Sequence, residues 1–274
     1  MMKRFCKLFV LFSFIFVPAL YAAKVDTVKV YSDSMKKEIK AVVVTPAHAA
    51  LSERLPAVYL LHGYSGNYGS WVNDGTEVKA LSDRHNVIVV CPDGAFGSWY
   101  FDSPLDSAFM YETFVSKELV EWIDAHYNTI PSREGRAVTG LSMGGHGGLY
   151  LGFRHQDVFG ACGSMSGGVD IRPFPDNWDI AKRLGKQSEF PQNWEANTVI
   201  NQLHLLTPNA VKIMIDCGTE DFFYDVNVKL HQELLYRNIP HDFISRPGGH
   251  NWAYWANAVK YQLLYFSEYF QSTQ

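Results

Sequence analysis

Apolar and polar residues alternate in two early runs, VDTVKVYS from Val25 and KEIKAVVVTP from Lys37. A period of two predicts an antiparallel strand pair with one solvated face. The pattern then changes to short, unbroken apolar runs: PAVYLLHG to Gly63, NVIVVCPDG to Gly94, RAVTG to Gly140, FGACGSMSG to Gly167 and AVKIMIDCG to Gly218. Unbroken hydrophobicity implies burial on both faces, as in a parallel sheet. Helical periods lie between and after these runs. In YETFVSKELVEWIDAHY, the residues Phe114, Val115, Leu119, Trp122 and Ile123 recur at spacings of three and four and form one apolar stripe. VNVKLHQELLYRN and YWANAVKYQLLYFSEYF read the same way. Strands alternating with helices predict a doubly wound α/β domain. No linker interrupts the pattern, so residues 23–274 are read as one domain.

One segment departs from the rhythm. Residues 168–209 are too long for a simple connection and carry Pro173, Pro175, Pro191, Trp178 and Trp194. An insertion of this kind is expected to form a lid or a pocket wall.

Composition adds little to the fold but bounds the setting. The 274 residues are 47% hydrophobic and 19% charged, ordinary for a globular chain, and the net charge of −4 comes without a long basic run. No nucleic-acid surface is indicated. The N-terminus has Lys3, Arg4 and Lys7, an apolar run from Leu8 to Leu20, and small residues at Ala22 and Ala23. These three regions read as a secretory signal peptide, residues 1–22, too short in its apolar part to span a membrane comfortably. Its removal leaves 21 basic against 28 acidic residues, a net charge of −7. Secreted or periplasmic localisation follows as an expectation, without stable membrane insertion after cleavage. Cys91, Cys162 and Cys217 remain in the mature chain, each in or beside an apolar run. They read as small buried hydrophobes, and their spacing matches no zinc motif, so neither a metal nor another cofactor is expected. Oligomeric state is not legible.

The chemistry concentrates in VTGLSMGGHGGLYLG, from Val138 to Gly152. Glycine is a poor helix former, so this density is costly unless backbones must approach closely. Gly140-Leu141-Ser142-Met143-Gly144 is the G-x-S-x-G pattern, set between a strand and a helix, which describes a nucleophile elbow. A serine hydroxyl needs a base, and the base an orienting carboxylate. His250, in RPGGHNW, follows the last strand through two glycines and falls on a loop at the carboxyl edge of the sheet. Asp221, in DCGTEDFFYD, falls on the loop after the preceding strand, with Glu220 as the second candidate. The amide of Met143 is one expected oxyanion donor. The other comes from the turn in LLHGYSGNYGSW, with Tyr64 the choice and Ser65 the alternative. His62 is expected to brace that turn. Trp71, Trp99, Tyr100 and Trp252 lie on or near the same loops and are candidate substrate-binding residues, although about half of such aromatics belong to the core.

Taken in order, LLHGYSGN, PDG…SWYFDS, GLSMGGHGGL, DCGTEDFF and PGGHNWAYW resemble the Putative esterase family. That family includes esterase D and S-formylglutathione hydrolases, short-chain acyl, feruloyl and acetylxylan esterases, and mycolyltransferases; the tributyrin- and feruloyl-type esterases are the nearest in pattern. The resemblance spans most of the mature chain. It implies an α/β-hydrolase fold with a mostly parallel sheet and helices on both faces; on the strand pattern above, the insertion follows the sixth strand. It also implies Ser142, Asp221 and His250 as a catalytic triad, in agreement with the residue-level reading. The expected activity is carboxylic-ester hydrolysis on a short-chain acyl or acylated-saccharide ester. Alternatives are acyl transfer to a sugar hydroxyl, and S-formylglutathione-type thioester hydrolysis, which the secretory leader disfavours. A non-catalytic binding module is disfavoured by the complete triad.

Overall fold

The computed structural model describes residues 22–49, 53–74 and 76–273. Of the expected leader, residues 1–22, residues 1–21 lie outside them. The two alternating runs form β1 (Lys24–Ser32) and β2 (Lys37–Thr45), paired antiparallel in register from Lys24↔Thr45 to Ser32↔Lys37. The unbroken runs become β3 (Ala57–Leu61), β4 (Ile88–Pro92), β5 (Arg136–Gly140), β6 (Ala161–Met165) and β7 (Lys212–Gly218). β8 (Asp242–Arg246) is the half-buried edge. The sheet has eight strands in the order β1-β2-β4-β3-β5-β6-β7-β8. β2 meets β4 antiparallel, and every pair from β4 to β8 is parallel.

Burial on both faces is visible within single strands. Ala57, Tyr59 and Leu61 of β3 enter one core, while Val58 and Leu60 enter the other. Opposite-facing side chains at successive residues require apolar residues at every position, which is why these runs are unbroken. The helices α1 (Ser70–Asn73), α2 (Val78–His85) and α9 (Trp252–Thr273) contribute Trp71, Leu81 and Phe266 to the second core. On the first face, α3 (Tyr111–Thr113) passes through a π-helical turn, Phe114–Glu118, into α4 (Leu119–His126). The π-helical turn departs from the single helical period that the apolar stripe predicts. Phe114, Val115, Leu119 and Ile123 are buried as the apolar stripe requires, while Trp122 is only partly covered.

α5 (Met143–Arg154) crosses the centre of the first face, with α8 (Tyr224–Tyr236) beside it. The excursion over residues 168–209 folds on the same side into α6 (Ile180–Leu184), α7 (Pro191–Ala196) and a 3-10 segment, Val199–Leu205. Pro191 opens α7, where its missing N–H costs nothing. Ile180, Leu184, Trp194 and Val199 are fully buried, so much of the excursion is anchored in the core. Cys91, Cys162 and Cys217 are unpaired and buried on β4, β6 and β7. Burial alone pushes the Cys91 thiol up to about 12.

Candidate active site

Ser142 stands between β5 and α5 with φ 56° and ψ −115°, a conformation that few side chains adopt without constraint. The constraint is close backbone packing. A Cβ on Gly140 or on Gly144 would lie 2.5 Å from the carbonyl oxygen of Leu61, so only glycine lets the start of α5 meet the end of β3. The Ser142 amide donates to Met165 O at 2.9 Å, and its carbonyl accepts the His146 amide at 2.9 Å. The turn thus presents the hydroxyl at the carboxyl edge of the sheet.

Two loops at that edge bring the remaining groups. The loop after β7 carries Asp221, whose side chain is wholly buried and whose Oδ1 accepts the Phe223 amide at 2.9 Å. The loop after β8 carries His250. Its Nδ1 donates to Asp221 Oδ2 at 2.8 Å, with Oδ1 at 3.1 Å, and its Nε2 lies 2.9 Å from Ser142 Oγ. With Nδ1 protonated, Nε2 is left to accept the serine proton. Glu220 is exposed, and its amide donates to Gly248 O at 2.9 Å. Asp216, inside β7, is tied to Arg246 and accepts the Tyr254 hydroxyl at 2.6 Å.

The turn after β3 approaches Ser142 closely, since a Cβ on Gly63 would lie 3.3 Å from Ser142 Cβ. Within this turn, the amides of Ser65 and Gly66 are committed to Phe96 O (2.8 Å) and Gly63 O (3.0 Å). Those of Tyr64 and Met143 have no backbone acceptor among the described residues. His62 braces the turn: its Nε2 accepts the Gly94 amide at 2.7 Å, so Nδ1 carries the proton that it donates to Gly63 O at 2.7 Å. Burial holds the pKa of this imidazole below its ordinary value.

A cavity of about 460 Å³ opens over Ser142 and His250. Asn67, Ser70 and Asp74 form a polar wall; Trp178, Phe222, Trp252 and Trp255 form an aromatic one. Phe222, Phe223 and Trp255 surround the His250 ring at centroid distances of 4.2, 5.6 and 4.9 Å. Of the four expected aromatic binding residues, only Trp252 lines this cavity. Trp71, Trp99 and Tyr100 are interior residues. Trp71 donates its indole N–H to Leu61 O at 2.9 Å and supports Trp252 edge-on, while Trp99 and Tyr100 turn inward through left-handed backbone, φ 56° and 60°. Phe222 and Trp255 line the cleft without being among the expected residues, whereas Trp178 belongs to the excursion expected to form a pocket wall. Adjacency to Asp221 was a usable signal for Phe222, and a position one helical turn beyond Asn251 was one for Trp255. In the excursion, Trp178 faces the cleft, whereas Trp194 is fully buried and donates its indole N–H to Gly185 O at 2.9 Å.

A larger surface groove, about 660 Å³, runs between α7 and α8 and holds none of these groups. Its charges largely cancel, with Arg172 paired to Asp170 and Glu195, and Arg237 near Glu233. Among the described residues, no helix is long and apolar enough to cross a membrane.

Comparison with known proteins agrees with this architecture. The model of the family described as Putative esterase matches residues 32–266. The acetyl esterase of Caldicellulosiruptor saccharolyticus is 28% identical over 255 residues, covering 84% of this chain and 95% of that protein. A solved ferulic acid esterase superposes with a TM-score of 0.79 at 28% identity, over 91% of this chain and 99% of the other. An S-formylglutathione hydrolase from Agrobacterium tumefaciens shares the fold, with a TM-score of 0.79 at 20% identity over 92% of this chain and 97% of its own. With an α/β-hydrolase sheet, a serine at its central elbow and a match over most of its length, the chain belongs to the Putative esterase family and is a carboxylic ester hydrolase.

Proposed function

We propose that the protein is a secreted serine esterase acting through Ser142, His250 and Asp221. The observation that carries this reading is the continuous contact from Asp221 Oδ2 through His250 to Ser142 Oγ, at 2.8 and 2.9 Å, on a strained elbow. Ser142 Oγ bonds to the ester carbonyl carbon as its proton passes to His250 Nε2. The carbonyl electron pair moves to oxygen, where the amides of Met143 and Tyr64 receive it. Collapse expels the alcohol, which takes the proton from His250. Water then repeats the sequence on the acyl enzyme and frees the acid. Asp221 holds the imidazole in the required tautomer throughout.

For the substrate we infer a short-chain acyl ester or a small acylated saccharide. The relatives named acetyl esterase and ferulic acid esterase support this class, as does a cleft with one polar wall and one aromatic wall that includes Trp252 and Trp178. The excursion over residues 168–209 serves as a pocket wall. Export through the leader places the mature domain, residues 23–274, outside the cytoplasm.

A fluorophosphonate probe tests the chemistry, and a panel of acetyl, butyryl, feruloyl and thioester substrates tests the class. The expected result is a single adduct at Ser142 and a loss in kcat of about a million-fold in Ser142→Ala. Retention of a tenth of the activity in that variant, or an adduct elsewhere, overturns the mechanism. Recovery of the chain with its leader intact in the cytoplasmic fraction overturns export.

A further inference from the structure

Trp178 and Asp179 stand side by side in left-handed backbone, with φ 50° and 57°. Asp tolerates that region; Trp does not, and such strain persists only where the surroundings over-determine it. Here four contacts do so. Trp178 O accepts the Trp99 indole N–H at 3.0 Å, and the Trp178 ring stacks on Phe222 with centroids 5.5 Å apart and planes 17° from parallel. Asp179 Oδ1 pairs with Lys182 at 3.0 Å, and Asp179 Oδ2 accepts the Tyr64 hydroxyl proton at 3.2 Å. The Lys182 contact, and then the Tyr64 hydroxyl, hold the Asp179 carboxyl below its ordinary range, which keeps it an acceptor.

This strained pair reaches both halves of the reaction centre. Through Asp179 it holds Tyr64, whose side chain is 115 residues away in sequence and whose amide faces the substrate carbonyl in the mechanism above. Through Trp178 it holds Phe222, which lies against His250. The Tyr64 ring is also packed edge-on against Phe96 at 4.8 Å, and a Cβ on Gly97 would come within 3.0 Å of it. The phenol is thus guided toward Asp179.

We propose that Asp179 is a positioning residue: by accepting the Tyr64 hydroxyl proton it sets the turn that presents the Tyr64 amide, so the excursion takes part in oxyanion stabilisation without touching the substrate. The proposal rests on the serine-esterase reading above. It predicts a kcat effect rather than a KM effect, because the oxyanion exists only as the reaction proceeds.

The test uses the full mature chain with a chromogenic short-chain ester, a fluorophosphonate probe and thermal melting. Asp179→Gly keeps left-handed backbone without strain but removes the acceptor. It is expected to lower kcat about tenfold, the worth of one hydrogen bond, with KM and Tm little changed. Tyr64→Phe reproduces the loss, and the double variant adds nothing to it. Asp179→Asn, which keeps an acceptor oxygen and tolerates the backbone, recovers most of kcat. Wild-type kcat and wild-type labelling of Ser142 in both Asp179→Gly and Tyr64→Phe overturn the positioning role of Asp179 while leaving the serine-esterase reading standing. A loss in all variants that tracks Tm overturns it in favour of a scaffold role. Absence of labelling in the wild type overturns the esterase mechanism and the positioning role of Asp179 together.

Discussion

Phe222 lies across the imidazole of His250, with ring centroids 4.2 Å apart and planes 36° from parallel, while 52% of Phe222 stays open to solvent. In the proposed mechanism His250 takes the serine proton, and the positive charge then forms against that aromatic face. A cation–π contact at such a half-exposed site is worth about 0.5–1 kcal/mol. Phe222→Leu, which keeps bulk but removes the π face, is therefore expected to lower kcat by about two- to fivefold. Steady-state kinetics on a small ester, too short to reach Trp178, checks this. An unchanged kcat shows that the ring serves only as a wall.

Asp221→Asn should leave the fold intact and cut kcat by about ten-thousand-fold, because the amide favours the wrong imidazole tautomer. Glu220→Gln should change kcat little, since that side chain is exposed and outside the contact to His250. Parallel kinetics with circular dichroism separates the two, and the reverse ranking reassigns the acid.

These two carboxylates show what the sequence discloses. The contact from Asp221 through His250 to Ser142 was legible because each of the three residues follows a strand that is itself legible, and strand ends place loops at one edge of the sheet. Trp99 and Tyr100 were read toward the cleft for the same reason, yet their backbone turns inward at positive φ, and spacing along a loop does not report its direction. The excursion reads as a pocket wall, but for the same reason its sequence does not tell Trp178, which faces the cleft, from Trp194, which is buried. The π-helical turn at Phe114–Glu118 preserves the apolar stripe around it, so hydrophobic periodicity carries no mark of it.

Gly144→Ala is expected to disrupt the site from behind. The added methyl would meet Leu61 O at 2.5 Å and His62 O at 2.7 Å, both backbone atoms that cannot swing away. Overpacking of this kind costs about 1–3 kcal/mol, and relief requires α5 to lift from β3 and take Ser142 with it. Urea unfolding should register the loss of stability, and fluorophosphonate labelling should slow. Wild-type labelling in a destabilised variant would mean that the strain relaxes away from the elbow.

His146 supplies a pH dependence. The ring is fully buried on α5, with Nδ1 facing Trp99 O at 3.1 Å and Nε2 facing Asn197 O at 3.0 Å. Burial lowers its pKa to about 4, although both carbonyls favour the proton. The unfolded chain takes up that proton near pH ~6.5. Between those values the unfolded state holds more protons, so stability falls as pH falls, by up to about 3 kcal/mol, and levels off below pH 4. His62, lowered by burial as well, adds to the same slope. His146→Gln should flatten the slope in urea unfolding across this window, and an unchanged slope would remove His146 as its source.

The three buried thiols turn the sheet into its own clock. Cys162 and Cys217 sit on the neighbouring strands β6 and β7, Cys91 lies on β4 toward the other side of the sheet, and all three are buried. None can meet an alkylating reagent until its strand is uncovered, so the rate of modification at each site, resolved by mass, times the opening of that part of the molecule. The strand bearing the first thiol to react marks where the native structure begins to come apart, with no substitution introduced to ask the question.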